Sequence, residues 1–168
     1  HPNTVRGEKI HKALEANDFS ELDDREIRWA EFCIKERNRA AARFLNPADG
    51  SEGSLIERFE ELRVVASEKY ESFGFFDALW VQNTKGILFD WKFGWNEVED
   101  AGDNEQGKGY VVGIFDLFPK LQEILVVFVQ PPLKKVTEIF YKRSDLPKLR
   151  KGIDSYLKKG DECDKKPA

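Results

Sequence analysis

The spacing of apolar residues in the first third of the chain predicts two helices. Within residues 7–16, Ile10 and Leu14 are four positions apart and therefore share one face of a short helix. A longer helix is expected to begin at Ser20, a favourable N-cap residue that is followed by several acidic residues. This helix should end near Pro47, because the residue before a proline disfavours helical geometry.

The pattern changes after residue 61, where short apolar stretches predict three strands. These stretches are residues 62–67, 73–81 and 86–92. A short polar segment, Gln-Asn-Thr-Lys at residues 82–85, joins the last two stretches. We therefore expect those two strands to form a hairpin.

The second half of the chain returns to a mixture of helix and strand. Asp103 and Gln106 are spaced as a capping box at the start of a helix. The predicted elements are a helix over residues 103–118, a buried strand over 124–130, a more exposed strand over 136–141 and a helix over 144–158. The whole order predicts an α/β fold with a mixed central β-sheet flanked by helices.

Length and composition fit one globular domain. The chain has 168 residues, of which 40% are hydrophobic and 35% charged. We predict a single domain over residues 1–158 and a charged, disordered tail over residues 159–168. No apolar stretch is long enough to span a bilayer, so we expect no membrane partner. The chain contains no methionine, so we expect His1 not to be a native start and an upstream domain to be a candidate partner.

Charge and cysteine content narrow the classes of partner and cofactor. Residues 134–168 carry 11 Lys and Arg against 6 Asp and Glu, although the whole chain has a net charge of −4. A basic end permits nucleic-acid binding, and it equally fits a solvated helix followed by a tail. The two cysteines, Cys33 and Cys163, are far apart and form no C-x-x-C pair, so no zinc site or iron–sulfur cluster is expected. A reducing, cytoplasmic setting is expected.

Each strand of the expected hairpin carries one aspartate. These are Asp77 and Asp90, and Lys92 follows the second on the same strand face. A carboxylate in an apolar strand is costly unless it is paired or binds a metal. If the turn is centred on Asn83 and Thr84, the two acids lie directly opposite each other with Cβ atoms about 5 Å apart, whereas a bulge at Gly86 would shift this register. Two acids this close repel each other, and Mg²⁺ or Mn²⁺ would relieve the repulsion.

Two interpretations of this pair follow from the residues alone. In the first, the acids hold a metal that polarises a phosphate oxygen and acidifies a water molecule, while Lys92 stabilises charge in the transition state. In the second, Lys92 only neutralises Asp90 in an ion pair. A single D-x-K triplet does not choose between them.

Three further motifs lie around the triplet in a fixed order. Gly7 begins G-x-x-x-H-x-x-L-E, Gly74 begins G-x-x-D, and Gln106 begins Q-x-x-x-Y. Together with D-x-K they resemble the RecB-type nucleases of the PD-(D/E)XK superfamily. The run DWKFG…DNEQGKGYVVG, followed by VVFVQPPL, is most similar to a phage-associated, exonuclease-like group. The resemblance covers about residues 7–130 and implies a restriction-endonuclease-like αβββαβ core.

The resemblance also implies a role for each matched residue. It implies an Mg²⁺ or Mn²⁺ site with a catalytic lysine beside it, and a helix that contacts the nucleic acid. Two departures are that no proline precedes the first acid and that the cysteines which hold an iron–sulfur cluster in some relatives are absent. The implied assignments are Asp77, Asp90 and Lys92 as catalytic residues, His11, Asp77, Asp90 and the backbone carbonyl of Trp91 as metal ligands, and Gln106 and Tyr110 as substrate-binding residues.

The expected function is therefore metal-dependent hydrolysis of DNA phosphodiester bonds, exonuclease-like, in recombination, repair or phage DNA metabolism. DNA, single- or double-stranded, is the expected partner, together with a candidate recombination protein. The alternative is a non-catalytic DNA-binding or assembly module that retains the nuclease fold. The presence of Asp77, Asp90 and Lys92 together favours the enzyme, because a purely binding role does not require all three.

Overall fold

The structure is a computed structural model, and it describes residues 2–48 and 54–164. Among these residues, no helix is long and apolar enough to cross a membrane. The elements in chain order are α1 (Pro2–Ala16), α2 (Asp24–Phe44), β1 (Glu57–Glu60), β2 (Arg63–Ser67), β3 (Ser72–Phe75), β4 (Ala78–Gln82), β5 (Lys85–Trp91), α3 (Glu105–Leu117), β6 (Glu123–Gln130), β7 (Lys135–Lys142) and α4 (Leu146–Asp164), with short 3₁₀ turns at Pro131–Leu133 and Arg143–Asp145.

Five strands form a mixed central sheet in the order β1-β4-β5-β6-β7. β5 and β6 are parallel, and the other neighbouring pairs in this sheet are antiparallel. Parallel neighbours need a long connection, which here contains α3. One face of the sheet packs against α1 and α2, and the other packs against α3, with α4 beside it. The predicted α/β class with a mixed sheet between helices is confirmed.

The centre of the sheet explains why the hairpin strands are so apolar. β5 lies between β4 and β6, and both of its faces are covered by helices. Ile87, Leu88 and Phe89 are accordingly fully buried, although successive side chains point to opposite faces. A charged side chain on this strand is therefore placed in the interior of the protein.

The single strand predicted over residues 73–81 is wrong. β3 ends at Phe75 and β4 begins at Ala78, with a bend at Asp77. β3 pairs with β2 in a separate two-stranded sheet, whereas β4 pairs with β1 and β5. Phe76 is buried at the break, so the apolar pattern continues through the bend and conceals it. The sequence pattern also fails to predict β1, whose residues are mostly exposed.

Four helix ends differ from the sequence prediction, and the first is the start of α1, which begins at Pro2 and not near Gly7. α2 is capped by Asp23 in a capping box with Glu26, not by Ser20. α3 is capped by Asn104, whose side chain accepts from the Gly107 amide, and not by Asp103. For both helices, the predicted cap and the observed cap are residue types that cap helices about equally well, so sequence alone does not select between them. α4 continues through residues 159–164, which were expected to be disordered, and residues 165–168 lie outside the described part.

The glycines of α3 allow this helix to lie close to its neighbours. A Cβ atom at Gly113 would lie 2.6 Å from the Cβ of Val64 in β2, and one at Gly107 would lie 3.1 Å from the ring of Phe128 in β6. Glycine lowers helix stability by about 1 kcal/mol relative to alanine. Here the close approach of α3 to both sheets requires glycine at these positions.

Candidate functional site

The β4–β5 hairpin brings Asp77 and Asp90 together. Ala78 pairs with Phe89 and Gln82 pairs with Lys85, as the sequence predicts. The next position outward places Asp77, in the bend before β4, across from Asp90 near the end of β5. Both carboxyl groups line one cleft, and the charge of Asp77 acts on Asp90.

Lys92 is the cation nearest to the second acid. Its Nζ lies 3.2 Å from Oδ1 of Asp90, whose side chain is almost fully buried. The Lys92 backbone amide donates to the carbonyl of Val129 in β6, which fixes the chain just after β5 ends. The lysine side chain is 26% exposed and therefore reaches solvent from the same place. The prediction that Asp90 and Lys92 share a strand face is confirmed.

His11 reaches the first acid from α1. Its Nε2 lies 3.2 Å from Oδ1 of Asp77, and its Nδ1 lies 2.7 Å from the carbonyl oxygen of Gly7. A carbonyl only accepts, so Nδ1 must carry a proton, and Nε2 is the nitrogen that gains or loses one. This is the arrangement in which a histidine presents Nε2 as a metal ligand while a carbonyl orients the ring. The ring also contacts Phe93 edge-on, with centroids 5.2 Å apart.

Burial and mutual repulsion separate the pKa values of the two acids. Burial, followed by the charge of Asp77, raises the pKa of Asp90 to about 7, although Lys92 acts in the opposite direction. Burial also favours the protonated form of Asp77, but the hydrogen bond and charge of His11 outweigh it and lower its pKa. Burial lowers the pKa of His11, and the contacts with Asp77 and Gly7 more than offset this, so its pKa is raised. The site therefore holds one acid whose pKa is lowered and one that titrates near neutrality.

α3 forms the opposite wall of the site. Gln106 and Tyr110 are one helical turn apart, and both line a cleft of about 540 Å³ that also contains Asp77, Asp90 and Lys92. Burial and the charges of the two acids raise the pKa of Tyr110.

A glycine in β3 gives Tyr110 its place in the cleft. A Cβ at Gly74 would lie 2.8 Å from Cε1 of the Tyr110 ring. Gly74, the glycine of the G-x-x-D motif, therefore leaves room for the tyrosine of the Q-x-x-x-Y motif.

The sequence analysis did not predict the role of Gln130, which fixes a loop on a further side of the cleft. The side chain of Gln130, at the end of β6, donates to the carbonyls of Gly94 and Asn96 at 2.9 and 2.7 Å and lies 3.4 Å from the amide of Val98. Gln130 is 1% exposed, and the loop that it binds follows Lys92 directly and lines the cleft. The available signal was a polar residue at the end of an otherwise apolar strand.

The two carboxylates are the donors that hard divalent cations prefer, and they suit Mg²⁺ or Mn²⁺. The imidazole of His11 is a softer donor than these cations usually take. Among residues 2–48 and 54–164, however, no group of three or more His, Cys, Asp and Glu side chains is spread as a ready coordination shell. Protein donors already contact both oxygens of Asp77: Nε2 of His11 lies at Oδ1, and the Trp91 amide donates to Oδ2 at 2.8 Å. The residues fit a metal chemically, and its binding would displace some of these contacts.

The structure thus brings most of the predicted site residues into one cleft. Asp77, Asp90, Lys92, His11, Gln106 and Tyr110 all line it. For Trp91, the amide contacts Asp77, while the proposed ligand role of its carbonyl stays a prediction. The Trp91 side chain packs on the other sheet face, stacked 5.3 Å from Phe89, as expected for a residue next to Asp90 in a strand.

Comparison with known proteins does not assign the chain to a family. No family model matches it, and no curated protein matches it. Among solved structures, the crystal structure of SSO0001 has a TM-score of 0.33 and 11% sequence identity, over 82% of this chain and 67% of that chain. A likeness at this level carries no argument about function.

Proposed function

We propose that this protein is a Mg²⁺- or Mn²⁺-dependent deoxyribonuclease that hydrolyses phosphodiester bonds, with an exonuclease-like mode of action. The observation that supports this most strongly is the meeting of four sequence motifs in one cleft. Asp77, Asp90 and Lys92 lie at one end of the hairpin, with His11 on one side and α3 on the other. A cluster of acids beside a lysine, open to solvent through a cleft, suits hydrolysis of a phosphate ester.

The acids and His11 would hold the metal. When bound, the metal supplies positive charge that polarises a phosphate oxygen and favours ionisation of an attacking water molecule. Asp90 is the group whose protonation state changes near neutral pH, because burial and Asp77 raise its pKa to about 7. It therefore binds a cation only after losing a proton. His11 is held by the Gly7 carbonyl so that Nε2 faces the acids.

Lys92 would act on the reacting phosphate. Its ammonium group lies in the cleft, 3.2 Å from Asp90, and remains partly exposed. From this position it can orient the attacking water and stabilise the negative charge that develops in the transition state. Gln106 and Tyr110, on the facing helix, supply an amide and a hydroxyl for a nucleic-acid strand that enters the cleft.

A non-catalytic DNA-binding module is the second candidate, and one observation favours it. The oxygens of Asp77 already have protein donors, and Lys92 pairs with Asp90. Such a network would also persist in a protein that had kept the nuclease fold without the activity. This candidate predicts binding without cleavage and no effect of divalent cations on stability.

We place the protein in the cytoplasm of a bacterial, archaeal or phage-infected cell, a setting compatible with the buried free thiol of Cys33. Its partners there would be DNA and a recombination protein.

A cleavage assay separates the two candidates. End-labelled linear DNA and closed circular DNA are incubated with the protein in Mg²⁺, in Mn²⁺ and in chelator. The enzyme degrades linear DNA only with metal, and an exonuclease leaves circular DNA intact. Asp90→Asn should abolish cleavage, whereas Asp103→Asn, an exposed acid outside the cleft, should not. DNA that stays intact in every metal, although the protein binds it, would refute the enzyme.

A further inference from the structure

The two-stranded sheet β2–β3 has one packed face and one open face. Val64 in β2 and Gly74 in β3 face α3, where they meet Gly113 and Tyr110. Side chains alternate along a strand, so Phe73 and Phe75 lie on the opposite face. They are 56% and 54% exposed, and their rings form an edge-to-face pair with centroids 6.5 Å apart.

A second cavity joins this sheet to the proposed site. It has a volume of about 290 Å³ and lies between β3 and α4. Phe73 and Tyr156 line it, and so do Gln106 and Tyr110, which also line the cleft that holds the acids. Gln106 and Tyr110 therefore lie where the two cavities adjoin, on the side of α3 that a chain-like ligand leaving the acids would pass.

The helix on the far side of this cavity is basic. Residues 146–160 contain five Lys and Arg and one acid, Asp154. Tyr156 is 56% exposed, and Lys148 and Lys159 lie on the same helix face at spacings of eight and three residues. In the two-stranded sheet, Arg63 pairs with Phe75, and its guanidinium lies 4.3 Å from the centroid of the Phe73 ring. The exposed rings of β3 thus have a cation beside them, and the exposed ring of Tyr156 lies on a basic helix.

We propose that Phe73, Phe75 and Tyr156 form a stacking surface for the bases of an unpaired nucleic-acid strand, with the lysines of α4 along its phosphates. Aromatic rings beside a basic groove bind single strands with little sequence preference, because every base has a flat face. Duplex DNA keeps its bases stacked inside and offers none to these rings. This inference rests on the proposed function, since the strand would lead from this surface to the acids.

The test is a binding measurement that does not involve catalysis. A fluorescein-labelled single strand, the same strand as a duplex, and a matched strand of abasic sites are titrated with protein in chelator. Phe73→Leu with Phe75→Leu removes the flat rings and keeps the apolar volume. Phe140→Leu, at a ring that is 40% exposed on β7 and outside both cavities, is the matched control.

The double variant should bind the normal single strand about 10- to 100-fold more weakly, because two stacked bases are lost. Its affinity for the abasic strand and for the duplex should be unchanged, and Phe140→Leu should match the parent throughout. An equal loss on normal and abasic strands, or no loss on the normal strand, would overturn the proposal. So would a parent that is dimeric by light scattering and becomes monomeric in the double variant, because the rings would then be a self-association surface.

Failure of this inference is distinguishable from failure of the proposed function. Hydrolysis of bis(p-nitrophenyl) phosphate in Mn²⁺ uses a substrate too small to reach from the acids to Phe73. The double variant should hydrolyse it at the parental rate, whereas Lys92→Ala should not hydrolyse it. If the parent protein does not hydrolyse this ester but still binds single strands through the rings, the stacking surface stands and the proposed enzyme activity is refuted.

Discussion

Asp90→Asn is expected to change how the stability of the metal-free protein depends on pH. Asp90 ordinarily has a pKa of 3.8, and burial together with Asp77 raises it to about 7 in the folded protein. Between these values the folded state holds a proton that the unfolded chain has released, so stability falls as pH rises. Each pKa unit corresponds to about 1.4 kcal/mol, so this group alone removes up to about 4 kcal/mol between pH 4 and pH 8.

The variant lacks this ionisation. It also leaves Lys92 without its carboxylate partner, which lowers stability. The parent has this carboxylate interaction only where Asp90 is ionised, so its effect is already contained in the raised pKa of Asp90. The free energy of unfolding of the variant, minus that of the parent, should therefore rise with pH between 4 and 7 and level off above 7.

Urea unfolding in chelator at several pH values measures this difference. Asp103→Asn, at an exposed acid outside the site, should give a difference that stays nearly constant with pH. Saturating Mn²⁺ should stabilise the parent at pH 8, by about 2.7 kcal/mol at a hundredfold excess over Kd, and should leave Asp90→Asn almost unchanged. Two results together would show that Asp90 serves only as the ion-pair partner of Lys92. The free energy of unfolding of Asp90→Asn, minus that of the parent, would stay constant or fall as pH rises, and Mn²⁺ would not change the stability of the parent.

Two further predictions concern α3 and its surroundings. Gln106→Ala and Tyr110→Phe should raise the Kd for DNA about fivefold or more, the loss of about one hydrogen bond, without changing that for Mn²⁺; separate titrations check this, and a collapse of metal affinity alone would contradict it. Gly113→Ala should lower the free energy of unfolding by about 1 to 3 kcal/mol, because the new Cβ would lie 2.6 Å from that of Val64. Gly152→Ala, where a Cβ meets nothing within 4 Å, should instead raise it by about 0.5 to 1 kcal/mol; thermal melts of the two variants should shift in opposite directions, and a stabilising Gly113→Ala would show that α3 can move away from β2.

Local signals were enough to predict the hairpin and its acids. The short polar turn fixes the β4–β5 register, and the period of two then places Asp90 and Lys92 on one face. The α/β class follows from the order of the elements, because the buried strand β6 comes after a helix and must pair where both faces are covered. These features depend on residues close in sequence or on general rules of packing.

The features that were not predictable depend on contacts between distant segments. The bend at Asp77 lies inside an apolar run, and only the pairing of β3 with β2 and of β4 with β5 shows it. The role of Gln130 depends on a loop that is distant in sequence, which its side chain joins to the end of β6. From sequence alone, Gly74 is only a residue that destabilises a strand, and the reason for it is visible once the Tyr110 ring lies against it. Each requires the tertiary structure before its purpose is visible.

The measurement that tests the central claim most directly is single-turnover cleavage of a labelled DNA strand in Mn²⁺ by the parent and by Lys92→Ala. Loss of one group that stabilises the transition state is expected to slow cleavage by about 100- to 1,000-fold. The variant should remain folded and still bind Mn²⁺, and Lys120→Ala, at an exposed lysine outside the cleft, should cleave normally. Full activity in folded Lys92→Ala, or cleavage by the parent that persists in chelator, would contradict a metal-dependent site built on Asp77, Asp90 and Lys92.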